Sequence, residues 1–210
     1  MIFFDLDGTL IDSNGIWRQI DEDFVMRRGL TLTDEYTDVV CHSTFPVSAR
    51  FTRDYYHLEE SPQAIMDEWE SMAYEAYACT IPLKQGAKAL LEQLQAEGER
   101  LVLLTASLPA LCRAALARHG LNPYFEALFF AQEAGLEKRD PALYLLAAQQ
   151  FCVSPGDCIL LEDSPYNCAA AQKAGLQVIG VYDDFYSDQW KMLVQNSHRA
   201  VRSLTELLKS

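Results

Sequence analysis

Positive charge is scarce in this chain: 17 Lys and Arg stand against 30 Asp and Glu in 210 residues, a formal net charge of −13. So acidic a protein has no electrostatic footprint for a nucleic-acid backbone or an anionic membrane, and both are excluded as expected partners. If its substrate is an anion, positive charge has to be supplied locally, by a metal ion or a few placed cations. The six cysteines (Cys41, Cys79, Cys112, Cys152, Cys158, Cys168) contain no CxxC pair and keep no regular spacing. They read as free thiols of a reducing cytoplasm, not as a disulfide framework or a zinc site. No apolar stretch approaches the ~18 residues of a membrane span. The start, Met-Ile-Phe-Phe-Asp, carries acids at Asp5 and Asp7 where a signal peptide needs a basic start and a long apolar run. Internal repeats and low-complexity tracts are missing as well. The expected location is the cytoplasm.

Half of the residues are apolar and only 22% are charged, so the chain can bury a sizeable core. Its length suits one α/β domain with an insertion. Short apolar runs of strand length recur at Ile2-Phe3-Phe4, Leu101–Leu104, Ala127–Ala131, Cys158–Leu161 and Val178–Tyr182. Helical stretches separate the later ones: Gly86–Glu97 before Gly98, Pro109–His119 before Gly120, Pro141–Phe151, and Pro165–Ala174 before Gly175. Pro at a helix start and Gly just past its end are the expected punctuation. Nearly continuous apolar strands alternating with helices predict an α/β fold with βαβ crossovers and a buried parallel sheet.

The segment 13–82 breaks that rhythm. Ile16, Trp17, Ile20, Phe24 and Val25 recur at helical spacing before Gly29, and Val47–Leu58 is a second helical patch. Ser61-Pro62 begins a third helix, with Ile65, Met66, Trp69, Met72 and Ala73 on one face. With no convincing strand there, the expectation is a helical cap domain over 13–82, inserted into a core domain over 1–12 and 83–210. Trp17, Trp69 and the Tyr55-Tyr56 pair are expected in its core, and His42 and His119 are read as structural or exposed.

Ligands of an open parallel sheet bind at the carboxyl ends of its strands. Those exits carry Asp5-Leu6-Asp7-Gly8-Thr9, then Thr105-Ala106-Ser107, then Glu162-Asp163-Ser164, with Lys138 in the loop after the third strand. Each residue type has work in phosphoryl transfer. Asp5 and Asp7, at i and i+2, would share a face of a regular strand. One carboxylate can attack phosphorus, and a second can protonate the leaving oxygen and then deprotonate water. Several acids in one place repel unless a hard cation such as Mg2+ sits among them. Gly8 permits a tight turn and lets backbone N–H groups approach an anion, and Ala106, after its strand, is counted with it among the phosphate- or substrate-binding residues. Thr105 can donate to a phosphate oxygen and Lys138 can neutralise phosphoryl charge. Ser107 is expected to cap the helix that starts at Pro109. Asp183-Asp184, after the last apolar run, is read as solvated and left outside the site.

Asp-Leu-Asp-Gly-Thr-Leu after an apolar strand, a Thr ending the second, a Lys followed by Asp-Pro, and Glu-Asp-Ser after the fourth together resemble the haloacid dehalogenase superfamily. The β-phosphoglucomutase/phosphoglycolate-phosphatase-like branch is the nearest, because the helical insert directly follows the first motif. The resemblance covers 1–12 and 82–185 well; the insert matches in position and helicity only. It implies a three-layer Rossmann-like parallel-sheet core with an inserted α-helical cap. It also implies a Mg2+-dependent phosphatase that acts on a small phosphorylated metabolite through an aspartyl-phosphate. By it, Asp5 is nucleophile and metal ligand, and Asp7 is the general acid/base, ligating through its backbone carbonyl. Thr105 binds the phosphoryl group, Lys138 stabilises its charge, and Asp163 is the second carboxylate ligand. Glu162 either ligates or orients metal-bound water. One departure concerns the lysine loop: the family's Lys-Pro-x-Pro is here Lys138-Arg139-Asp140-Pro141, so Arg139 is an alternative cation for the phosphate.

Two rival readings stay beside it. A phosphomutase is disfavoured by Gly8-Thr9, the form the hydrolases prefer, and by Trp17 where the mutase branch places a histidine. A dehalogenase would lack Asp7. The non-enzyme alternative is a silent regulatory or binding protein on the same fold. Substrate choice falls to cap residues: Asn14, Trp17, His42, Ser43, Arg50 and Arg53 are candidates. Arg50 and Arg53 lie on a predicted cap helix, where a guanidinium can either grip a second carboxylate or phosphate or pair with surface acids, and Arg50 is counted among the substrate-binding residues. The expected oligomeric state is a monomer by default, while an apolar cap surface would support a homodimer.

Overall fold

The computed structural model describes residues 1–41, 43 and 45–209; His42 lies outside the described residues. In chain order the elements are β1 (Ile2–Phe4), α1 (Ile16–Arg27), α2 (Asp34–Cys41), α3 (Phe45–Tyr56), α4 (Pro62–Cys79) and α5 (Ala87–Ala96). They continue as β2 (Leu101–Thr105), α6 (Pro109–His119), β3 (Ala127–Phe130), α7 (Pro141–Gln150), β4 (Ile159–Glu162), α8 (Pro165–Lys173), β5 (Gln177–Val181), α9 (Trp190–Gln195) and β6 (Arg199–Val201). Two units emerge: Met1–Asn14 with Ile81–Ser210, and Gly15–Thr80. No helix among the described residues is long and apolar enough to cross a membrane.

In the first unit the strands form one sheet in the order β3-β2-β1-β4-β5-β6, with every pairing parallel. Consecutive side chains of a strand face opposite ways, yet Phe3 and Phe4 are both fully buried, as are Val102 and Leu103. Both sheet faces are therefore covered, giving the three-layer Rossmann-like α/β architecture. One face packs Phe3, Val102, Leu104, Leu160 and Val178 against Leu143, Tyr144 and Ala147 of α7 and Cys168 and Ala171 of α8. Strand β1 lies between β2 and β4, where the chain reverses its direction of travel along the sheet. That switch point leaves a crevice at the carboxyl ends of those strands.

The second unit is helical. Its core holds Ile20, Phe24 and Val25 from α1 and Ile65, Trp69 and Ala73 from α4, with Phe24 and Trp69 edge to face at 5.6 Å. Ser61 caps α4, accepting the Ala64 N–H at 3.2 Å, and Pro62 occupies the first turn. Arg28 lies 3.7 Å over the Phe24 ring and pairs with Glu68 at 2.6 Å and Glu60 at 3.1 Å. Trp17 departs from the sequence expectation: it is 41% exposed, edge-on to Phe45. The second helical patch begins at Phe45, and α2 was not foreseen at all. Among the described side chains of α2 only Tyr36 is fully buried, and Thr and Val are poor helix formers, so its sequence signal is weak.

Asp21 of α1 illustrates what that packing costs. Burial pushes its carboxyl up to about 6, opposed by a hydrogen bond from the Tyr36 hydroxyl at 3.4 Å. Between an unfolded value near ~4 and the folded one, the folded chain binds the extra proton, so stability falls as pH rises through that window and levels off above it. Asp21→Asn should therefore stabilise the protein by on the order of 1 kcal/mol at pH 7.5, after a discount for partial exposure, and by much less at pH 5. Urea midpoints at the two pH values check this; a gain that does not grow with pH would contradict it.

Candidate active site

Asp5 follows β1, and its N–H still pairs with the Leu161 carbonyl at 3.0 Å. The chain then turns. Leu10 N–H and Ile11 N–H return to the Leu6 carbonyl at 2.9 and 3.1 Å, and Gly8 N–H returns to the Ile11 carbonyl at 2.8 Å. Asp5 and Asp7 are thus set by a turn beyond the strand, not by strand alternation. Asp5 is buried and Asp7 half-buried. Gly8 has φ +81°, and a Cβ there would stand 2.2 Å from Asn14 Nδ2 and 2.2 Å from Asp163 Oδ2. Its N–H is spent on Ile11, and its missing side chain leaves room for the Asn14–Asp163 contact.

Around Asp5 the sheet gathers groups from four segments. Thr9 Oγ1 donates to Asp5 Oδ2 at 3.0 Å, and Lys138 Nζ donates to Asp5 Oδ1 at 2.6 Å. Lys138 also pairs with Glu162, and Tyr144 on α7 fixes its backbone by donating to the Lys138 carbonyl at 2.9 Å. Glu162 Oε1 accepts the N–H groups of Asp163 and Ser164 at 3.1 and 3.0 Å. Ser13 Oγ donates to Asp7 Oδ1 at 2.7 Å. Thr105, fully buried at the end of β2, accepts the Ser107 N–H at 2.9 Å, which leaves its hydroxyl proton to donate. Ser107 does not cap α6; Leu108 holds that position without a side-chain bond.

Lys138, and not Arg139, carries the ammonium that meets Asp5. Arg139 lies over the Tyr166 ring at 4.6 Å. Lys138 and Arg139 border a cavity of about 410 Å³ lined also by Ala106, Gln132 and Asn167. Arg50 belongs to the second unit, exposed on α3.

Electrostatics separate the three buried acids. Burial, with the charges of Glu162 and Asp7, pushes Asp5 up to about 7 against the pull of Lys138. Burial and the negative neighbours Glu162 and Asp5 raise Asp163 well above the carboxylate range. Burial would raise Glu162 too, but the Lys138 charge and hydrogen bonds from Asp163 and Ser164 hold it below. Lys138 stays charged: burial disfavours its ammonium, while Asp5 and Glu162 more than compensate. Asp5, Glu162 and Asp163 each offer one carboxylate oxygen, all within 4.8 Å of one another. Hard oxygen donors, desolvated and in excess of the local positive charge, fit a divalent cation of the Mg2+ type.

Asp183 is not solvated as its sequence suggested, and Asn14, a candidate there for substrate choice, faces two carboxylates. Asp183 is only 4% exposed, and Asn14 ties it to Asp163. An acid pair after a last strand carries no sequence signal for burial, because the partners are 149 and 169 positions away from Asn14.

Residues 2–181 match the family model described as haloacid dehalogenase-like hydrolase. A probable pseudouridine-5'-phosphatase of Drosophila melanogaster is 30% identical over 201 residues, covering 89% of this chain and 83% of that protein. The fructose-1-phosphate phosphatase of Escherichia coli (strain K12) is 26% identical over 185 residues, covering 86% of this chain and 95% of that one. Among solved structures, a mutant of CbbY from Rhodobacter sphaeroides in complex with xylulose-(1,5)bisphosphate matches with a TM-score of 0.75. It is 23% identical, with 98% of this chain and 95% of that chain covered, and the likeness is one of fold.

Proposed function

Because the chain belongs to the haloacid dehalogenase-like hydrolases, we propose that it is a Mg2+-dependent phosphatase that hydrolyses a small phosphorylated metabolite through an aspartyl-phosphate on Asp5. The observation that carries this reading is the buried Asp5 carboxylate, with the Lys138 ammonium at 2.6 Å and two further carboxylates close by.

Asp5 attacks phosphorus as the bond to the leaving oxygen breaks, and Asp7 delivers a proton to that oxygen. Asp7, now a carboxylate, takes a proton from water as the water oxygen attacks the aspartyl-phosphate. Asp5 is regenerated and inorganic phosphate leaves. The Ser13 bond fixes one oxygen of Asp7 for both transfers. Thr105 donates its hydroxyl proton to a phosphoryl oxygen. Lys138 offsets the negative charge on the phosphoryl group, held in place through Tyr144 and Glu162. Asp5, Glu162 and Asp163, with the Asp7 carbonyl, would hold the Mg2+, which supplies Lewis-acid polarisation of phosphoryl oxygens. Arg139, committed to Tyr166, is not needed for this chemistry.

The test is inorganic phosphate release from a panel of sugar, polyol, nucleotide and phosphoglycolate monoesters, with Mg2+ and with excess chelator. Relatives named for pseudouridine 5'-phosphate and fructose 1-phosphate put those two esters first in the panel. Release with Mg2+ should exceed that in chelator by at least about 10²-fold, since the cation and Lys138 share the charge of the transition state. Equal release in chelator would contradict the reading.

A further inference from the structure

Asn14 Nδ2 donates to Asp163 Oδ2 at 2.6 Å and to Asp183 Oδ1 at 3.1 Å. One amide nitrogen has two protons, so each carboxylate receives one. The amide orientation follows from this: turned over, its oxygen would face two carboxylates. Asp183 Oδ1 also accepts the Phe185 N–H at 3.0 Å, and its other oxygen takes the Lys84 ammonium at 2.6 Å. The result is a continuous line of carboxylate, amide, carboxylate and ammonium. Lys84 cancels the charge of Asp183, so the line steers Asp163 without adding negative charge to the site. Gly8 leaves space for it, because any Cβ there would collide with both partners of the Asn14–Asp163 bond. Backbone bonds anchor the outer end: Lys84 N–H donates to the Leu10 carbonyl at 2.9 Å, and Asp12 N–H to the Pro82 carbonyl at 3.0 Å.

We infer that Asn14, held by Asp183 and Lys84, is a positioning residue that orients the Asp163 carboxylate toward a divalent cation and thereby sets cation affinity. An acid free to rotate would have to be ordered at binding. One fixed by a donor on Oδ2 presents Oδ1 already aligned, and outer partners of this kind are typically worth about 10–100-fold in metal affinity. This inference rests on the metal site of the proposed function, so its test reads binding apart from turnover.

Mn2+ serves as probe, with free ion followed by electron paramagnetic resonance in titrations of the whole protein. Asn14→Ala should weaken Mn2+ binding about tenfold or more, and Lys84→Met about threefold, since it leaves both partners of the inner bond in place. At saturating Mn2+, kcat of Lys84→Met should stay within about threefold of wild type, because the reacting groups are untouched. Asn14→Ser, which keeps a short donor, should recover part of the lost affinity. An affinity unchanged within twofold in Asn14→Ala overturns the inference. If Asn14→Ala does not fold, an unchanged affinity in Lys84→Met overturns it equally. Wild type that binds no Mn2+ fails earlier, at the metal site itself.

Discussion

Asp5→Asn should lower phosphate release at saturating Mg2+ by at least about 10⁴-fold while the fold stays intact, because a carboxamide cannot form the acyl-phosphate. The substitution is close to isosteric, and the Thr9 hydroxyl can still donate to the remaining oxygen. Lys138 keeps Glu162 as a counter-charge. Stability moves the other way. Burial and the charges of Glu162 and Asp7 hold the Asp5 carboxyl at about 7, so folded metal-free wild type binds a proton that the unfolded chain has lost above about pH 4. Its stability therefore declines as pH rises from about 4 to 7, and the variant, with nothing to ionise there, escapes that decline. In chelator at pH 8, Asp5→Asn should unfold at a higher urea concentration than wild type. Turnover within tenfold of wild type would remove Asp5 from the nucleophile role, and a lower urea midpoint would refute the electrostatic account.

The sheet was legible in sequence wherever strands are buried on both faces. Ile2-Phe3-Phe4 and Leu101–Leu104 are unbroken apolar runs because neither face meets water. β6 was not legible: Arg199–Val201 is three residues long with only Val201 buried, too short for any period. α7 shows the limit from the other side. Its apolar content announced a helix, but Leu145 and Leu146 are exposed while the smaller Ala147 and Ala148 are packed, so content did not reveal the facing. The same division runs through the site. Asp5, Glu162, Asp163 and Thr105 each stand at or just beyond a strand end, where sheet topology alone brings them together. Asn14 does not share that signal, and Asp183, though it follows β5, gave no sign of being buried. Asp183 resembles any acid pair in a surface loop until the fold brings Lys84 to one oxygen and Asn14 to the other. The lysine loop lies between these cases: its motif pointed to Lys138 or Arg139, and the Tyr166 ring that holds Arg139 aside is a tertiary fact.

Lys138→Met should be the most damaging substitution to stability in this region. Methionine replaces the aliphatic stem at little steric cost, so what is lost is the ammonium. Asp5 and Glu162, both nearly inaccessible to water, then face each other without their shared counter-charge. Removing one partner of a buried pair typically costs about 3–5 kcal/mol, because the remaining charge stays desolvated and unpaired. At pH 8 in chelator the urea midpoint should fall accordingly. Lowering the pH should recover part of the loss, since without the ammonium Asp5 takes up its proton more readily still. Mg2+ should recover part of it by a different route: a cation that binds only the folded chain adds about 2.7 kcal/mol at a hundredfold excess over its dissociation constant. Phosphate release should remain about 10³-fold down even with Mg2+ saturating, because the cation replaces charge among the carboxylates but not the ammonium that meets the phosphoryl group. The two readouts separate the roles of one residue. A midpoint that neither falls in chelator nor responds to Mg2+ would mean that Lys138 does not neutralise Asp5 and Glu162, whatever happens to activity.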